Sequence, residues 1–246
     1  PNIKVVFAPT APAEYNGVLN TKLEGGTAGD LITCRPFDAS LALFDQGHLE
    51  SINDLPGMEN FSSVAKSAWI TDNGSDVFCV PMASVIHGFF YNADAFNELG
   101  LTEPTTRDEF FAVLDAVKAD GPYDPLGMGS AHQREADFEM GIFPPPLANE
   151  ADTCFISDHT DIAMGMNTAT ENPEAVETFL EWMTTAEFAE LYSNALPGFF
   201  TLSNHMVNLD DPLAQEFMSW REPCEETIRN SYQILSRGEP NLENEL

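Results

Sequence analysis

Short strand-like runs alternate with helix-like segments through the first half of the chain, and that alternation most restricts the fold available to it. Ile3 to Ala8 is β-branched and aromatic. Pro12 opens a segment with Tyr15, Val18, Leu19 and Leu23 at helical spacing, closed by Gly25-Gly26. Leu31 to Cys34 is a second short strand, and Ala39 to Phe44 a helix ended by Gly47. Val77 to Pro81 and Val85 to Tyr91 form two further strand-like runs separated by Met82-Ala83-Ser84. Asn92 caps a helix over Ala93 to Leu99, stopped by Gly100. Thr105 or Thr106 caps the next, and Glu109, three residues beyond Thr106, completes a capping box. Its apolar face is Phe110, Phe111, Leu114 and Val117. The pattern predicts an α/β fold with a largely parallel sheet, whose ligands sit beyond the carboxyl ends of the strands.

The second half is more helical. Pro173 starts a long helix through Tyr192, with Val176, Phe179, Leu180, Met183, Phe188 and Leu191 toward the core. Pro212 to Trp220 and Glu225 to Leu235 are further helices, before a break at Gly238-Glu239-Pro240. Trp182 and Trp220 fall on apolar faces and are expected in the core.

Composition excludes several partners. Ten Lys plus Arg stand against forty Asp plus Glu, a formal net charge of -30. A field of that sign repels phosphate backbones and anionic lipid, so nucleic-acid and membrane-surface binding are disfavoured. The acids are scattered, which favours a solubility surface over an acidic trap for metals or cationic ligands. No apolar run approaches the roughly 18 to 20 residues that span a bilayer, and direct membrane insertion is not expected. The chain opens at Pro1 without a basic or apolar leader, as a mature or trimmed protein would. Of the four cysteines, Cys34 and Cys79 lie in apolar runs that suit buried free thiols, while Cys154 and Cys224 lie beside loops and are candidates for a bridge.

Particular strings carry a family likeness. Asn2-Ile3-Lys4-Val5, Ala13-Glu14-Tyr15-Asn16, Leu23 to Gly26, Gly29-Asp30-Leu31-Ile32 and Ala42 to Leu49 resemble the opening of an extracellular solute-binding protein of the carbohydrate class. Val80 to Asn92 (VPMASVIHGFFYN), then AFNELGL and PTTRDEFFAVLDAVKADG, is the most specific stretch; MGMNTATENPEAVETFLEWMTT and ALPGFF resemble the same family's return segment. The resemblance, to the maltose- and glycerol-phosphate-type binders of ABC transporters, implies a type II periplasmic-binding-protein-like fold. That fold has two lobes which close on a sugar. It also implies a monomer, secreted or lipid-anchored, in the periplasm or outside the cell, that hands a carbohydrate or polyol to permease subunits without a cofactor.

Two departures from the family stand out. Its strand before the one at Ile3 is absent, and His132 to Asp137 joins a hinge strand, Leu126 to Ser130, almost directly to a return strand, Phe138 to Phe143. The junction Gln133-Arg134-Glu135 resembles a splice. Either the second lobe is cut down or its residues are missing from the numbering. The resulting partition is an N-terminal lobe over 1–128, hinge crossings over 129–150, a return segment over 151–208 and C-terminal helices over 209–246, a partial second lobe.

A sugar site needs flat apolar faces and planar polar groups that bond hydroxyls. Arg35-Pro36-Phe37-Asp38 follows a strand's carboxyl end and offers Arg35, Phe37 and Asp38; equally, Asp38 caps the helix at Ala39 and Arg35 pairs with a surface acid. Resemblance puts this loop and the Ser84 to His87 stretch at the family's ligand cleft, with a core histidine the alternative for His87. Tyr15 presents a ring and hydroxyl to the cleft, or packs. Phe199 and Phe200 form a stacking platform, or an inward-packed strand. Asp158-His159-Thr160-Asp161 has spacings found in metal sites but is expected as a turn before the return strand. No HExxH, G-x-S-x-G, P-loop or G-x-G-x-x-G occurs, so enzyme chemistry has no motif behind it. A glycoside or metal-dependent hydrolase, and an isolated lobe without ligand binding, are the competing readings.

Overall fold

A computed structural model describes residues 3–120, 127–130, 138–146, 149, 155–222 and 225–226. In chain order the elements are α1 (Tyr15–Glu24), β1 (Leu31–Cys34), α2 (Asp38–Asp45), α3 (Ser63–Lys66), β2 (Val80–Asn92), α4 (Ala93–Leu99), α5 (Arg107–Asp120) and β3 (Gly127–Ser130). Then follow β4 (Met140–Phe143), β5 (Phe155–Met166), α6 (Pro173–Met183), α7 (Ala186–Ala195), β6 (Phe200–Thr201), α8 (Pro212–Ser219) and β7 (Glu225–Glu226). The chain divides into two compact units. The first comprises 1–82, 161–189 and 202–205; the second comprises 83–160, 190–201 and 206–246.

In the first unit β1 pairs antiparallel with the end of β5, Leu31 opposite Met166 and Cys34 opposite Ala163. Cys34 and Cys79, both fully buried, are joined by a disulfide, which overturns the expectation of two free thiols. Two sulfurs in neighbouring apolar runs look the same in sequence whether or not tertiary packing brings them together. Gly165 makes room for the bridge: a Cβ there would come within 2.9 Å of Cys79 Sγ and 3.0 Å of Cys34 Sγ. The Cys154–Cys224 candidate, the Gln133-Arg134-Glu135 junction and most of the expected helix beyond Glu226 lie outside the described residues.

The expected helix from Pro173 to Tyr192 is broken at Thr184-Thr185. Thr184 Oγ1 donates to Pro56 O (3.3 Å) and Glu181 O (2.8 Å), and its carbonyl accepts from Asn60 Nδ2 (3.1 Å). Thr185 Oγ1 accepts from Phe188 N and caps the next helix. Gly57, at φ 88°, lies so close that a Cβ would stand 1.8 Å from Thr184 Oγ1. Gly57→Ala is expected to cost about 3 kcal/mol, from left-handed strain plus overpacking. Gly74→Ala, at φ 74° with open space around it, is expected to cost about 1 kcal/mol. Urea unfolding midpoints of the two variants check the difference.

In the second unit β2 is flanked by antiparallel partners: Phe90 sits opposite Gly127 of β3 and opposite Ile142 of β4. β3 falls within the strand run expected at Leu126 to Ser130, and β4 within the one expected at Phe138 to Phe143. β6 pairs antiparallel with β2 at Ala83 and Ser84, and β7 pairs parallel with β5. Most of these ladders are antiparallel, against the expectation of a largely parallel sheet. Glu225-Glu226 is likewise strand rather than the start of a helix. Side chains alternate across β2. Ile86 belongs to a core with Ile142, Ile156, Phe200, Ala214, Phe217 and Trp220, and Phe90 packs against it. On the odd-numbered face, Phe89 packs on Phe110 of α5 and Phe143 of β4, with ring centroids 4.7 and 5.4 Å away.

Several expectations about single elements fail for tertiary reasons. Val80–Asn92 is one strand, because Met82-Ala83-Ser84 is buried and Ala83 and Ser84 pair with Thr201 and Phe200 of β6. Val113 and Val117, not Phe111, form the buried stripe of α5; Phe111 is 55% exposed, and Leu191 of α7 is exposed too. Residues 3–8 form no strand, and Phe7 is 84% exposed. β-propensity does not make a strand without a ladder partner.

Candidate functional site

In the first unit, the loop after β1 is held from several sides. Arg35 O accepts from the buried Trp69 Nε1 (3.2 Å) and from Ser40 Oγ (2.5 Å), and Arg35 Nη2 donates to Pro12 O (3.2 Å). Phe37 takes φ 66° and ψ -132°, and its N–H donates to Ala68 O. It is the one non-glycine residue at positive φ among the described residues. Such a conformation costs about 1–3 kcal/mol, and strain of this kind clusters at ligand clamps. The Phe37 ring is buried rather than offered for stacking. Asp38 is the first helical residue of α2, not its cap, and its charge favours the positive end of the helix. Tyr15 is half-buried and its hydroxyl donates to Thr33 O at 2.8 Å. Burial raises its pKa and the bond to Thr33 works against that shift, so the hydroxyl stays protonated.

The second unit holds a polar cluster that the sequence only partly foretold. Ser84 of β2 is 1% exposed, and its Oγ accepts from Arg221 Nη2 at 2.8 Å. Arg221, just past α8, also places Nε 2.7 Å from Asp158 Oδ2 on β5, with the Asp158 side chain 6% exposed. The guanidinium stands 5.6 Å from the centroid of the Phe200 ring. Phe200 is therefore a core residue covered by a cation, and not a free platform. Phe199 is half-buried, its N–H bonded to Leu196 O. His87, also half-buried, stacks on His159 with ring centroids 5.1 Å apart. The run Asp158 to Asp161 is part of β5, not a turn.

Two buried oxygens in this cluster, Asp158 Oδ1 and Thr160 Oγ1, have no hydrogen-bond partner among the described residues. They sit two apart on one strand, hence on one face. An orphaned buried acceptor costs about 1–3 kcal/mol, and a ligand hydroxyl or a water would supply the missing bond. Ser84 is no activated nucleophile here, since its partner is a guanidinium that cannot take a proton. Among the described residues no group of three His, Cys, Asp or Glu side chains converges to hold a metal. The sequence did carry one overlooked signal: with only ten basic residues in the chain, an arginine directly after a core tryptophan is a candidate for internal pairing.

The model of the bacterial extracellular solute-binding protein family matches residues 1–152, and the chain belongs to that family. The multiple sugar-binding protein of Streptococcus mutans is 24% identical over 119 residues, 48% of this chain and 28% of that protein. The match therefore spans less than a third of that relative's length. Among solved structures, RafE from Streptococcus pneumoniae in its apo form superposes with TM-score 0.70 at 17% identity, covering 92% of this chain and 80% of that one. UgpB from Mycobacterium tuberculosis, in complex with glycerophosphocholine, gives 0.66 at 13% identity, covering 91% and 79%. The fold is thus the type II periplasmic-binding-protein-like α/β fold that the sequence resemblance implied.

Proposed function

We propose that this chain captures a carbohydrate or related polyol outside the cytoplasm and delivers it to the permease of an ABC transporter. Family membership supports a binder rather than an enzyme, and the sugar-binding names of the relatives support the ligand class. The structural observation that carries the reading is a pair of buried, unpartnered oxygens, one on Asp158, which pairs with Arg221, and one on Thr160, two residues further along the same strand. Neighbouring sugar hydroxyls each donate and accept, and this set offers a charged acceptor, a hydroxyl and guanidinium N–H groups. Ser84 positions Arg221. In the first unit Arg35 and Asp38 flank the strained turn and Tyr15 is half-buried; in the second unit His87 and Phe199 are half-buried. The buried disulfide supports an oxidising compartment. A monomeric, secreted or lipid-tethered form completes the reading.

The test is a thermal-shift screen against mono- and disaccharides, polyols and glycerol phosphates, followed by calorimetry on any hit. A ligand at about one hundred times its Kd is expected to add about 2.7 kcal/mol, a rise in Tm of several degrees. No shift with any sugar would leave a fold without capture. Recovery of a cleaved sugar would turn the reading toward a hydrolase.

A further inference from the structure

Glycine directly follows asparagine twice in the chain, at Asn16-Gly17 and at Asn73-Gly74. Glycine has no Cβ to shield its own backbone nitrogen, which leaves that nitrogen open to the preceding side-chain amide. The two pairs, both in the first unit, are held very differently. Asn73 Oδ1 accepts from Thr71 Oγ1 (2.7 Å), Ser75 N (3.0 Å) and Ser75 Oγ (2.8 Å). The Gly74 N–H donates to Thr71 O (2.8 Å), so both reacting groups of that pair are tied into the turn. Asn16 and Gly17 are exposed and stand in the first turn of α1. The first backbone bond of that helix runs from Val18 N to Glu14 O (3.0 Å); the Gly17 N–H, one residue earlier, has no acceptor among the described residues. The Asn16 side chain makes no hydrogen bond among them either. Little holds this turn shut. Glu14 supplies no side-chain cap, no residue of α1 is fully buried, and Gly17 is a weak helix former. A terminal turn of that kind opens at small cost.

We propose that Asn16-Gly17 is a site of spontaneous deamidation in the folded protein, while the turn around Asn73-Gly74 protects that pair. Hydroxide takes the Gly17 N–H proton, the nitrogen attacks Asn16 Cγ, and the bond from Cγ to the side-chain nitrogen breaks. That nitrogen leaves as ammonia with a proton from water, which regenerates hydroxide, and a cyclic succinimide remains. Water then adds to one ring carbonyl and opens the ring, giving aspartate or, with the backbone routed through Cβ, isoaspartate. No oxidant or reductant takes part. Either product adds a negative charge, and isoaspartate lengthens the backbone directly after Tyr15, whose hydroxyl bonds Thr33 O. The site stands independently of the carbohydrate reading.

The test is incubation of the intact chain in mildly alkaline heavy-oxygen water, then peptide mapping by mass spectrometry with separation of the aspartyl and isoaspartyl forms. Heavy oxygen enters only when the ring opens, so later reaction during digestion in ordinary water is not counted. The native chain, the chain in urea and the variant Gly17→Ala are run side by side. A Cβ at Gly17 would meet nothing within 4 Å, so the variant keeps the fold. Label is expected to enter at Asn16 about tenfold faster than at Asn73 in the native chain, because the bonds around Asn73 must break first. In urea the two rates are expected to converge. Gly17→Ala is expected to slow Asn16 about fivefold in the native state, through a firmer first turn. Equal native rates at the two positions, or a faster Asn73, would show that the dipeptide alone governs the reaction and would overturn the proposal. So would an Asn16 that reacts in urea and not in the folded chain, since α1 would then be its protection.

Discussion

Arg221→Met is expected to destabilise the protein by about 3–5 kcal/mol, the largest effect of any single side chain described above. The substitution leaves the Asp158 carboxylate, 6% exposed, without the cation that compensates its burial, and an unpaired buried charge costs more than the pair contributes. It also removes the donor to Ser84 Oγ and the cation over Phe200. The double variant Arg221→Met with Asp158→Leu is expected to recover most of the loss, because a buried pair replaced by apolar groups of similar volume is often neutral. Urea unfolding of the two single variants and the double variant closes the cycle. If Arg221→Met alone costs less than about 1 kcal/mol, the pair is a solvated surface contact and the buried cluster is not what holds this region together.

The second large effect belongs to the disulfide. Cys34 and Cys79 are 45 residues apart, and closing a loop of that size removes about 4 kcal/mol of chain entropy from the unfolded state. Cys79→Ser is therefore expected to lower Tm by about 10 °C. Both sulfurs are fully buried, so mild reductant is expected to leave the native protein's melting curve unchanged until unfolding begins. Calorimetry of the intact chain with and without reductant, beside Cys79→Ser, checks both statements. Equal Tm values for the variant and the oxidised protein would show that the bond contributes nothing to stability.

Local signals in the sequence proved sound because local chemistry decides them. Asn92 Oδ1 accepts from Ala95 N, Gly100 takes the left-handed cap, and Thr106 and Glu109 bond each other's backbone as a capping box. The Glu109 carboxyl is held below its usual pKa, chiefly by the N–H of Thr105. Failures came where distant residues decide. Nothing near Thr184 announces that Pro56 and Asn60 will claim its polar atoms and end a helix. Val113 completes the i, i+3, i+4, i+7 pattern of Phe110, Leu114 and Val117, whereas Phe111 shares that face only with Leu114, and the structure buries Val113.

The site was legible in the same partial way. Ser84 stands out by family likeness, but its partner Arg221 lies 137 residues further on, and that partner's other contact, Asp158, lies 63 residues before it. The loop from Arg35 to Asp38 is legible as a loop after a strand, while the positive φ at Phe37 is not, since phenylalanine carries no left-handed preference to betray it. At Phe200 the sequence leaves a platform and an inward-packed strand equally open, and burial in β6 selects the second.

The stretch from Ile3 to Phe7 has a colloidal consequence. Its residues are exposed, mostly β-branched or aromatic, and contain a single charge. Segments of that composition stack readily into cross-β arrays when they meet copies of themselves. The surplus of thirty negative charges on each molecule keeps such encounters rare at low ionic strength. Since the screening length shrinks to about 3 Å at 1 M salt, concentrated brine removes that protection, and self-association through this strip then becomes the route by which the protein leaves solution.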